Sequence, residues 1–500
     1  MIRWTGRSGA VQTASLFGTF AALARGDVDS FPGLRPHQRD PWHAFTVQIA
    51  AMAMLNAGLK SFGETNSESD WQGLLTGLTP SFPDGEPWQL VVDDWTKPAL
   101  LQPPIVTAAN TADYKNVFHT PDQLDLLVTS RNHDLKIARM SDAALDHWLF
   151  ALVSLQTGEG FLGAGNYGIS RMNGGFSSRL FLRIHPSDCA SDSFRRDVQE
   201  LLKLNSESQI ANKTCLVWTT PWDGTETIAF SVLHPLYVDT CRRIRLAFIG
   251  QNILGHTATS KCARIESKAL MGVTGDPWAP TRADGTTSIT ASAVGFGYRQ
   301  IAKLLDPKET AKPPLAQILA DDPTEGLVLT ATALVRGQGK TEGFHTRSIP
   351  ISKAQRHRFS GSVMLLDAVG AAAVKRADEA GEVNSILRRS LIYLNQGAPE
   401  QARLDDKSAT AKTEAWTKRF NAAVDGDFFG DLFWSEVNSE EAPHRVLWRT
   451  WLADQARDIF DEAARSAARS DTKRIRAHAR SKTMLENGLS KNIKKALDNG

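Results

Sequence analysis

Residues 336–345, RGQGKTEGFH, contain the spacing most typical of a chemical site. Gly339-Lys340-Thr341 matches the end of a Walker A motif, G-x-x-x-x-G-K-[ST], which binds nucleotide phosphates through backbone N–H groups and the lysine. The motif needs a glycine five positions before Gly339, but Leu334 stands there, inside a run typical of a β-strand. Without that glycine the backbone cannot wrap around phosphates. A nucleotide hydrolase that uses Gly339-Lys340-Thr341 is therefore kept only as the alternative hypothesis.

A second segment, GEGFLGAGNYGISRMNGG at 158–175, holds seven glycines in eighteen residues. Glycines at this density let a partner approach the backbone closely. The segment follows a predicted helix, whereas a dinucleotide-binding fingerprint follows a strand. Arg171, Asn173 and Arg179 lie within or just after it, a pattern that suits contact with a polyanion. Composition alone leaves two interpretations open, a flexible surface loop and a binding loop.

Basic residues cluster locally although the net charge is only +2. Any contact with nucleic acid must therefore come from local basic surface. One cluster is Arg242, Arg243 and Arg245. A second is Arg347, Lys353, Arg356, His357 and Arg358. The last thirty residues carry eight lysines and arginines against three acidic residues. Such a run is either a solvated helix face or a track for a phosphate backbone.

The residue types that hold metals or perform catalysis do not form a recognisable pattern. Cys189, Cys215, Cys241 and Cys262 are widely separated and form no C-x-x-C pair, which indicates reduced thiols in a cytosolic protein. The histidines show no H-E-x-x-H, and no G-x-S-x-G is present. We therefore expect no zinc, no other metal, no cofactor and no catalytic site.

Hydrophobic periodicity outlines the elements. Residues 1 to about 60 are predicted to be helical, and 60–130 are rich in proline and loops. A helix is predicted over 141–157 with Ser141 as its N-cap. Strands are predicted at 180–184, 215–220 and 326–337, with a hairpin at 260–273. Beyond residue 350 helical periodicity dominates, and the apolar positions from Trp448 to Ile459 share one helix face.

The coarse architecture is therefore an α+β protein with two domains. A large mixed domain is expected over 1–350 and a C-terminal helical, four-helix bundle over 351–500. The apolar stretch FTVQIAAMAMLNAGL at 45–59 is shorter than a membrane span and is predicted to be a buried core helix. The sequence predicts a cytoplasmic protein that does not contact a membrane.

Four segments together resemble the CasA family, the large subunit of the type I-E CRISPR Cascade surveillance complex. They are ALVSLQTGEGFLGAGNYGISRMNGGFSSRLF at 151–181, LVWTTPWDG at 216–224, LHPLYVDTCRRIRL at 233–246 and LVRGQGKTEGFHTRSIPI at 334–351. The order of a helical N-terminus, a proline-rich middle, a glycine segment, a mixed core and a helical bundle is also similar. The resemblance covers most of the chain and is most specific at 158–176 and 336–345.

The resemblance implies a non-enzymatic DNA-recognition subunit that lies next to the 5′ end of the guide RNA (crRNA). Such a subunit samples double-stranded DNA for a protospacer-adjacent motif (PAM), starts strand separation with a wedge and retains the displaced strand with its bundle. The completed R-loop then recruits the Cas helicase–nuclease. The implied protein partners are this enzyme and the backbone, 5′-handle-binding and small subunits of Cascade.

By position, the family's glycine loop falls on Gly160, Gly163, Ala164, Gly165 and Asn166. Ala164 replaces a glycine that is common in relatives. Bare glycine backbone suits entry into the minor groove, which is only about 6 Å wide. The degenerate code of that groove implies a permissive motif preference.

The other implied site residues fall in three segments. The wedge falls on Gln338 and Gly339, with Lys340 beside them; Gln338 is either the wedge glutamine or the groove-reading residue that precedes it. The wedge must offset unstacking that costs about a few kcal/mol per base step. The family's lysine finger falls on Lys268, with Lys261 as second choice. The segment that docks on the guide RNA and neighbouring subunits carries Arg131, Asn132 and His133.

A third hypothesis is a helical scaffold that only joins protein partners. It predicts that affinity for DNA does not depend on salt, whereas contacts to phosphates make affinity fall steeply as salt rises.

Overall fold

The computed structural model describes residues 1–63, 67–125, 143–174, 179–205, 213–323, 325–337, 340–351, 362–400, 403–438, 442–466 and 471–498. It divides the chain into two compact units. The first is Met1–Gly295 with Thr310–Lys353, and the second is Phe296–Glu309 with Ala354–Gly500. The first unit mixes helices and strands and the second is helical, so the predicted α+β class is confirmed. Residues 296–309, which the sequence assigns to the first domain, belong to the second unit.

The described helices of the first unit are α1 (Leu16–Arg25), α2 (Arg39–Asn56), α3 (Glu68–Thr76), α4 (Leu145–Gly158) and α5 (Ala190–Leu204). Its described strands are β1 (Ile2–Gly6), β2 (Val11–Ala14), β3 (Val28–Ser30), β4 (Asn116–Phe118), β5 (Leu180–His185), β6 (Thr214–Leu216), β7 (Ile228–Ala229), β8 (Leu233–Val238), β9 (Arg243–Ile249), β10 (Asn252–Ala258), β11 (Ile265–Glu266), β12 (Thr281–Arg282), β13 (Thr310–Ala311), β14 (Leu327–Gly337) and β15 (Lys340–Ile351).

The strands form several small sheets. Three-stranded sheets have the orders β2-β1-β3, β4-β10-β9 and β15-β14-β5, and the pairs are β11-β7, β12-β13 and β6-β8. The longest ladder is the antiparallel hairpin β14–β15, which runs from Leu327 opposite Ile351 to Gly337 opposite Lys340. Strand β5 pairs with the other edge of β14. The hairpin is therefore anchored on one side, and the last residues of β14, 334–337, extend beyond the pairing with β5.

Helix α2 forms the centre of the core of the first unit. Every residue from Ala44 to Leu55 is buried, so its apolar residues contact neighbours on all sides. The buried amide of Gln48 is satisfied because its Nε2 donates to the backbone oxygens of Leu236 (3.1 Å) and Tyr237 (2.9 Å). The predicted buried core helix is confirmed. Among the described residues, no helix is long and apolar enough to cross a membrane.

Local expectations fail at three places. The chain begins with strand β1, because Ile2, Trp4 and Gly6 alternate inward with a period of two. Helix α4 starts at Leu145 after the N-cap Ala144, whereas the predicted cap Ser141 lies outside the described residues. Within 214–220 only Thr214–Leu216 is a strand, followed by a 3₁₀ turn.

The described helices of the second unit are α6 (Tyr298–Leu305), α7 (Ser362–Asn395), α8 (Lys407–Asp427), α9 (Asp431–Asn438), α10 (Ala442–Ser466) and α11 (Asp471–Asp498). The four long helices are α7, α8, α10 and α11, which form the predicted bundle. On α10, Trp448, Leu452 and Ala456 are buried, as the helical periodicity predicted. Arg376 lies fully buried on α7 beside them, with its Nε 2.7 Å from the Glu436 carboxylate and its guanidinium over the ring of Trp448.

Candidate nucleic-acid interface

The glycine loop, defined here as residues 158–174, is a folded structure that begins where α4 ends. The amide of Ile169 donates to the Glu159 backbone oxygen (2.9 Å), which closes the base of the loop. Near the tip, the Leu162 amide donates to Asn166 O, and the Asn166 amide donates to Gly163 O, both at 3.0 Å. The tip is therefore a tight turn.

Two glycines in this loop are required by packing. Gly165 has φ +86°, and a Cβ there would lie 2.9 Å from the Cβ of Thr259. A Cβ on Gly168 would lie 2.8 Å from the carbonyl carbon of Gly160. Real Cβ atoms do not approach that closely, so these glycines let one arm of the loop lie directly on its neighbours. Of the two interpretations left open by composition, the flexible loop does not fit this packing.

The tip is the open part of the loop. Gly163 has φ +119°, and a Cβ there would meet nothing within 4 Å. Ala164 is exposed, whereas Gly160 at the base is buried. The five residues predicted to form the loop site thus divide into Gly160 at the buried base and a turn at 163–166, in which Ala164 is exposed and Gly165 packs on Thr259. This turn is the portion that can approach another molecule.

Residues 259–273 lie against the glycine loop. The Ser260 amide donates to Gly165 O (3.0 Å), and the Tyr167 hydroxyl donates to Lys261 O (2.9 Å). A Cβ on Gly272 would lie 2.6 Å from the carbonyl carbon of Met172. Both candidate finger lysines, Lys261 and Lys268, are exposed.

The hairpin predicted at 260–273 is wrong. Only Ile265–Glu266 is a strand in this segment, and it pairs in parallel with β7 rather than with its own continuation. Lys268 opens a single 3₁₀ turn, Lys268–Leu270, and Met271 follows at φ +48°. The chain turns away at Met271 and Gly272, both of which have positive φ, so no returning strand forms.

The Gly-Lys-Thr motif lies at the turn of the β14–β15 hairpin. Gln338 and Gly339 are outside the described residues, and Lys340 is the first residue of β15. The chain thus passes from one strand to its antiparallel partner. A Walker A loop instead leads into a helix whose N-terminus faces the phosphates. The P-loop alternative therefore loses the structural context that it requires.

Strand β14 is connected to the glycine loop by an ion pair. The Arg336 Nε lies 3.2 Å from the Glu159 carboxylate, and both side chains are nearly buried. Arg336 immediately precedes Gly337 at the hairpin turn, while Glu159 is at the base of the loop. Two segments that are far apart in sequence are thereby held together within the first unit.

The arginines that suggested polyanion contact point into the protein. Arg179 donates from Nε and Nη2 to the Asp276 carboxylate at 2.7 and 3.0 Å, and both side chains are at most 2% exposed. Arg171 is buried over the Tyr237 ring at 4.0 Å and donates to Tyr237 O at 2.8 Å. These two residues stabilise the site internally and are not available to a phosphate.

Arg242, Arg243 and Arg245 are likewise buried. Arg242 Nη2 donates to Gly160 O (2.8 Å), and Arg243 Nη1 donates to Thr259 O (2.9 Å). Burial lowers the pKa of Arg245 to about 10, which leaves it charged at neutral pH. Arg242 and Arg243 therefore brace the glycine loop and its neighbour, while Arg245 donates to backbone oxygens elsewhere in the unit. The interpretation as a phosphate track is wrong for this cluster.

Sequence reasoning missed a buried polar group at the end of the loop. The Ser170 hydroxyl donates to Asp239 Oδ2 (2.7 Å) and lies 2.5 Å from the Tyr237 hydroxyl. Burial raises the pKa of the Asp239 carboxyl, against the opposing effect of Arg171. The only signal was a carboxylate directly after an apolar strand, which is equally common in ordinary loops. This group fixes the loop on β8.

The remaining predicted residues have separate outcomes. Arg131, Asn132 and His133 lie outside the described residues, although the preceding Asp125 is held by His37 Nε2 at 2.7 Å. Among the described residues, no group of three or more histidine, cysteine or acidic side chains could hold a metal ion. The described basic residues of α11 include several exposed ones, namely Arg476, Arg480, Lys491, Lys494 and Lys495.

The fold and site define an α+β protein in which a mixed unit carries a glycine loop braced against a β-hairpin, with a helical bundle as second unit. CasA (Cse1) of Thermus thermophilus has this fold: it is 15% identical, with a TM-score of 0.66 over 98% of this chain and 97% of that one. Cse1 of Thermobifida fusca is 14% identical, with a TM-score of 0.63 over 99% and 97%. The chain therefore has the CasA (Cse1) fold over nearly its whole length, as the sequence resemblance implied.

A chain of a CRISPR RNA-guided surveillance complex in a pre-nicking state is also similar, at 14% identity and a TM-score of 0.51 over 97% of this chain and 96% of that one. Protein-family models and curated proteins gave no match to the sequence.

Proposed function

We propose that this protein is the large subunit of a type I-E Cascade complex that recognises the PAM in double-stranded DNA and begins to open the duplex. It has no catalytic activity of its own in this proposal and acts in the cytoplasm with crRNA, the other Cascade subunits and a Cas helicase–nuclease that it recruits. The CasA (Cse1) fold over nearly the whole chain supports this assignment.

One observation carries the proposal. The three segments with the implied DNA-reading roles converge within the first unit, although about 180 residues separate the first from the last. The glycine loop packs on residues 259–273 through Gly165 and Tyr167, and it joins the β14–β15 hairpin through Glu159 and Arg336. We propose that the open turn at 163–166 enters the minor groove, that Lys268 contacts the same DNA, and that Gln338, Gly339 and Lys340 act as the wedge.

The division of roles is physically consistent. A short motif read through backbone and shape needs little positive charge, because base pairing with the guide supplies sequence specificity. The buried arginines provide rigidity, which limits the entropy lost when the loop is ordered on DNA. The segment 130–136, with Arg131, Asn132 and His133, is proposed to dock on the guide RNA and neighbouring subunits.

The test is target capture by the complex assembled with this chain. Gly163→Asp places a carboxylate at the open turn, where DNA phosphates would repel it, and should weaken binding of a PAM-containing duplex at least about tenfold, or about 1.4 kcal/mol. Gln338→Ala should slow R-loop formation. Gly9→Asp is the matched control, because Gly9 is likewise a glycine with positive φ and with nothing within 4 Å of an added Cβ.

Unchanged capture and R-loop formation in both site variants would overturn the assignment of these sites. Phosphate release from ATP or GTP by the purified protein, abolished by Lys340→Ala, would instead support the hydrolase alternative. Binding of DNA that does not vary with salt would favour a scaffold that contacts only proteins.

A further inference from the structure

The ion pair between Glu159 and Arg336 lies between the two segments to which different steps have been assigned. The distance from the Glu159 carboxylate to Arg336 Nε is 3.2 Å, and their side chains are 2% and 8% exposed. Because so little of either side chain is exposed, solvent and salt screen the attraction between the two charges only weakly. The glycine loop and strand β14 are thus joined by an attraction between opposite charges.

On the loop side, Glu159 is held from several directions. Its carboxylate accepts the Gly160 amide (3.0 Å), and its backbone oxygen accepts the Ile169 amide from the returning arm. Arg242 fixes Gly160 O from beneath. A displacement of either arm of the glycine loop therefore moves the Glu159 carboxylate.

On the hairpin side, Arg336 spans both strands. It lies on β14 opposite Thr341 of β15, and its Nη1 donates to the Thr341 hydroxyl. The ladder shifts register between Val335 and Arg336, and this bulge re-aims the side chain at the end of the strand. The next ladder pair, Gly337 with Lys340, encloses the turn at 338–339. A movement of Arg336 is therefore transmitted to both sides of that turn.

We infer that Glu159 and Arg336 are positioning residues that couple the glycine loop to the hairpin turn, so that seating the loop on DNA also aims the turn at the first base pair to be opened. The inference rests on the proposed function and adds to it a named connection between motif recognition and strand separation. Neither residue needs to touch DNA for this role.

The experiment separates binding from opening with two DNA substrates in the assembled complex. One is a PAM duplex with 2-aminopurine at the first target position, and the other is identical except for a mismatched bubble over the first few target base pairs. Glu159→Gln keeps the shape of the side chain and loses its charge. It should leave duplex affinity within about twofold, slow the fluorescence rise on the intact duplex at least about tenfold, and leave the rate on the bubble substrate unchanged.

Two further variants show whether the residues act as a pair. Arg336→Gln should slow opening of the intact duplex to a similar degree, and the double variant should be no slower than either single one, because the shared interaction can be lost only once. Asp93→Asn is the matched control: it removes a negative charge from an exposed residue of the same unit, outside the glycine loop and the hairpin, and should open DNA at the wild-type rate. Thermal melting of each protein checks that the fold is kept. If Arg336→Gln fails to fold, Arg336→Lys keeps the charge but shortens the reach, and it should slow opening less than Glu159→Gln does.

Each of four results would overturn the coupling: wild-type opening rates in Glu159→Gln, additive slowing in the double variant, equal slowing on the bubble substrate, or slowing by Asp93→Asn. These failures differ from failure of the proposed function, in which Gly163→Asp and Gln338→Ala would leave capture and R-loop formation intact.

Discussion

The arginines beside the glycine loop and the basic residues of helix α11 differ in what their charge does. Arg171, Arg179 and Arg242 are buried and donate to carboxylates or backbone oxygens of their own unit. Lys491 and Lys494 on α11 are exposed. Both groups look alike in the sequence, as clusters of positive residues. The difference teaches that a basic cluster predicts nucleic-acid contact only if its charges lack internal partners.

Removing the carboxylate partner of a buried arginine should have the largest effect on stability. In Asp276→Ala the buried Arg179 loses its bidentate carboxylate, and such a loss costs about 3–5 kcal/mol. We expect the midpoint of urea unfolding of the first unit to fall to a much lower urea concentration than in the wild type. Tryptophan fluorescence measures this midpoint. Asp321→Ala removes an exposed carboxylate that pairs with Lys203 and should leave the midpoint unchanged. Equal midpoints for the two variants would show that the buried pair is unimportant for stability.

Buried histidines should make the stability of the folded protein depend on pH, whereas exposed ones should not. Burial lowers the pKa of His185 and of His234 to about 4, whereas the unfolded chain keeps an ordinary value near about 6.5. As pH falls from 7 to 5, the unfolded state takes up protons that the folded state refuses, so each histidine should remove about 2 kcal/mol of stability. The loss begins near pH 6.5 and is complete near pH 4.

The measurement is urea unfolding at pH 7, 6 and 5. The Nδ1 of His234 accepts the Leu236 amide at 3.0 Å, and an asparagine oxygen can take over that bond without titrating. His234→Asn should therefore flatten the pH dependence by about 2 kcal/mol. His119→Gln alters an exposed histidine and should reproduce the wild-type dependence. A wild-type slope in His234→Asn would contradict the assignment of the acid sensitivity to burial.

Removing exposed positive charge from α11 should have the smallest effect, and it should change DNA affinity without changing stability. The double variant Lys491→Ala/Lys494→Ala should keep the unfolding midpoint and reduce the slope of log affinity against log salt by about 1 to 2, as expected for one or two lost phosphate contacts. Lys407→Ala/Lys412→Ala removes the same charge from exposed positions on α8. Equal slopes for the two double variants would mean that α11 does not track the DNA backbone.

Elements with a strong local pattern were predictable from the sequence, and those that depend on distant partners were not. Strands β5 and β14 and the buried face of α10 follow from apolar runs and helical spacing. The inward direction of Arg179 could not be predicted, because its partner Asp276 lies 97 residues away. The hairpin expected at 260–273 failed for the same reason, since β11 pairs with β7 instead.

The candidate site was accessible to sequence analysis only in part. Glycine density marked the loop, but nothing in the composition showed that Gly165 and Gly168 are required by packing while Gly163 is open. The roles in DNA recognition came from the family resemblance. The pair Glu159 and Arg336 carried no motif, since opposite charges 177 positions apart are unremarkable until the chain folds.

Helix α6 has a practical consequence for dividing this protein. It belongs to the second unit although it lies inside the sequence of the first, and it is fastened there by Tyr298, whose amide donates to Asp425 and whose ring stacks on Phe428 at 4.9 Å. Gly370 of α7 lies so near the Leu305 backbone that a Cβ would come within 2.3 Å. A fragment that starts after residue 353 would thus expose an apolar groove where α6 belongs. A separate peptide of residues 296–309 should bind that fragment and restore its stability. The protein could therefore be divided into two chains that reassemble through α6.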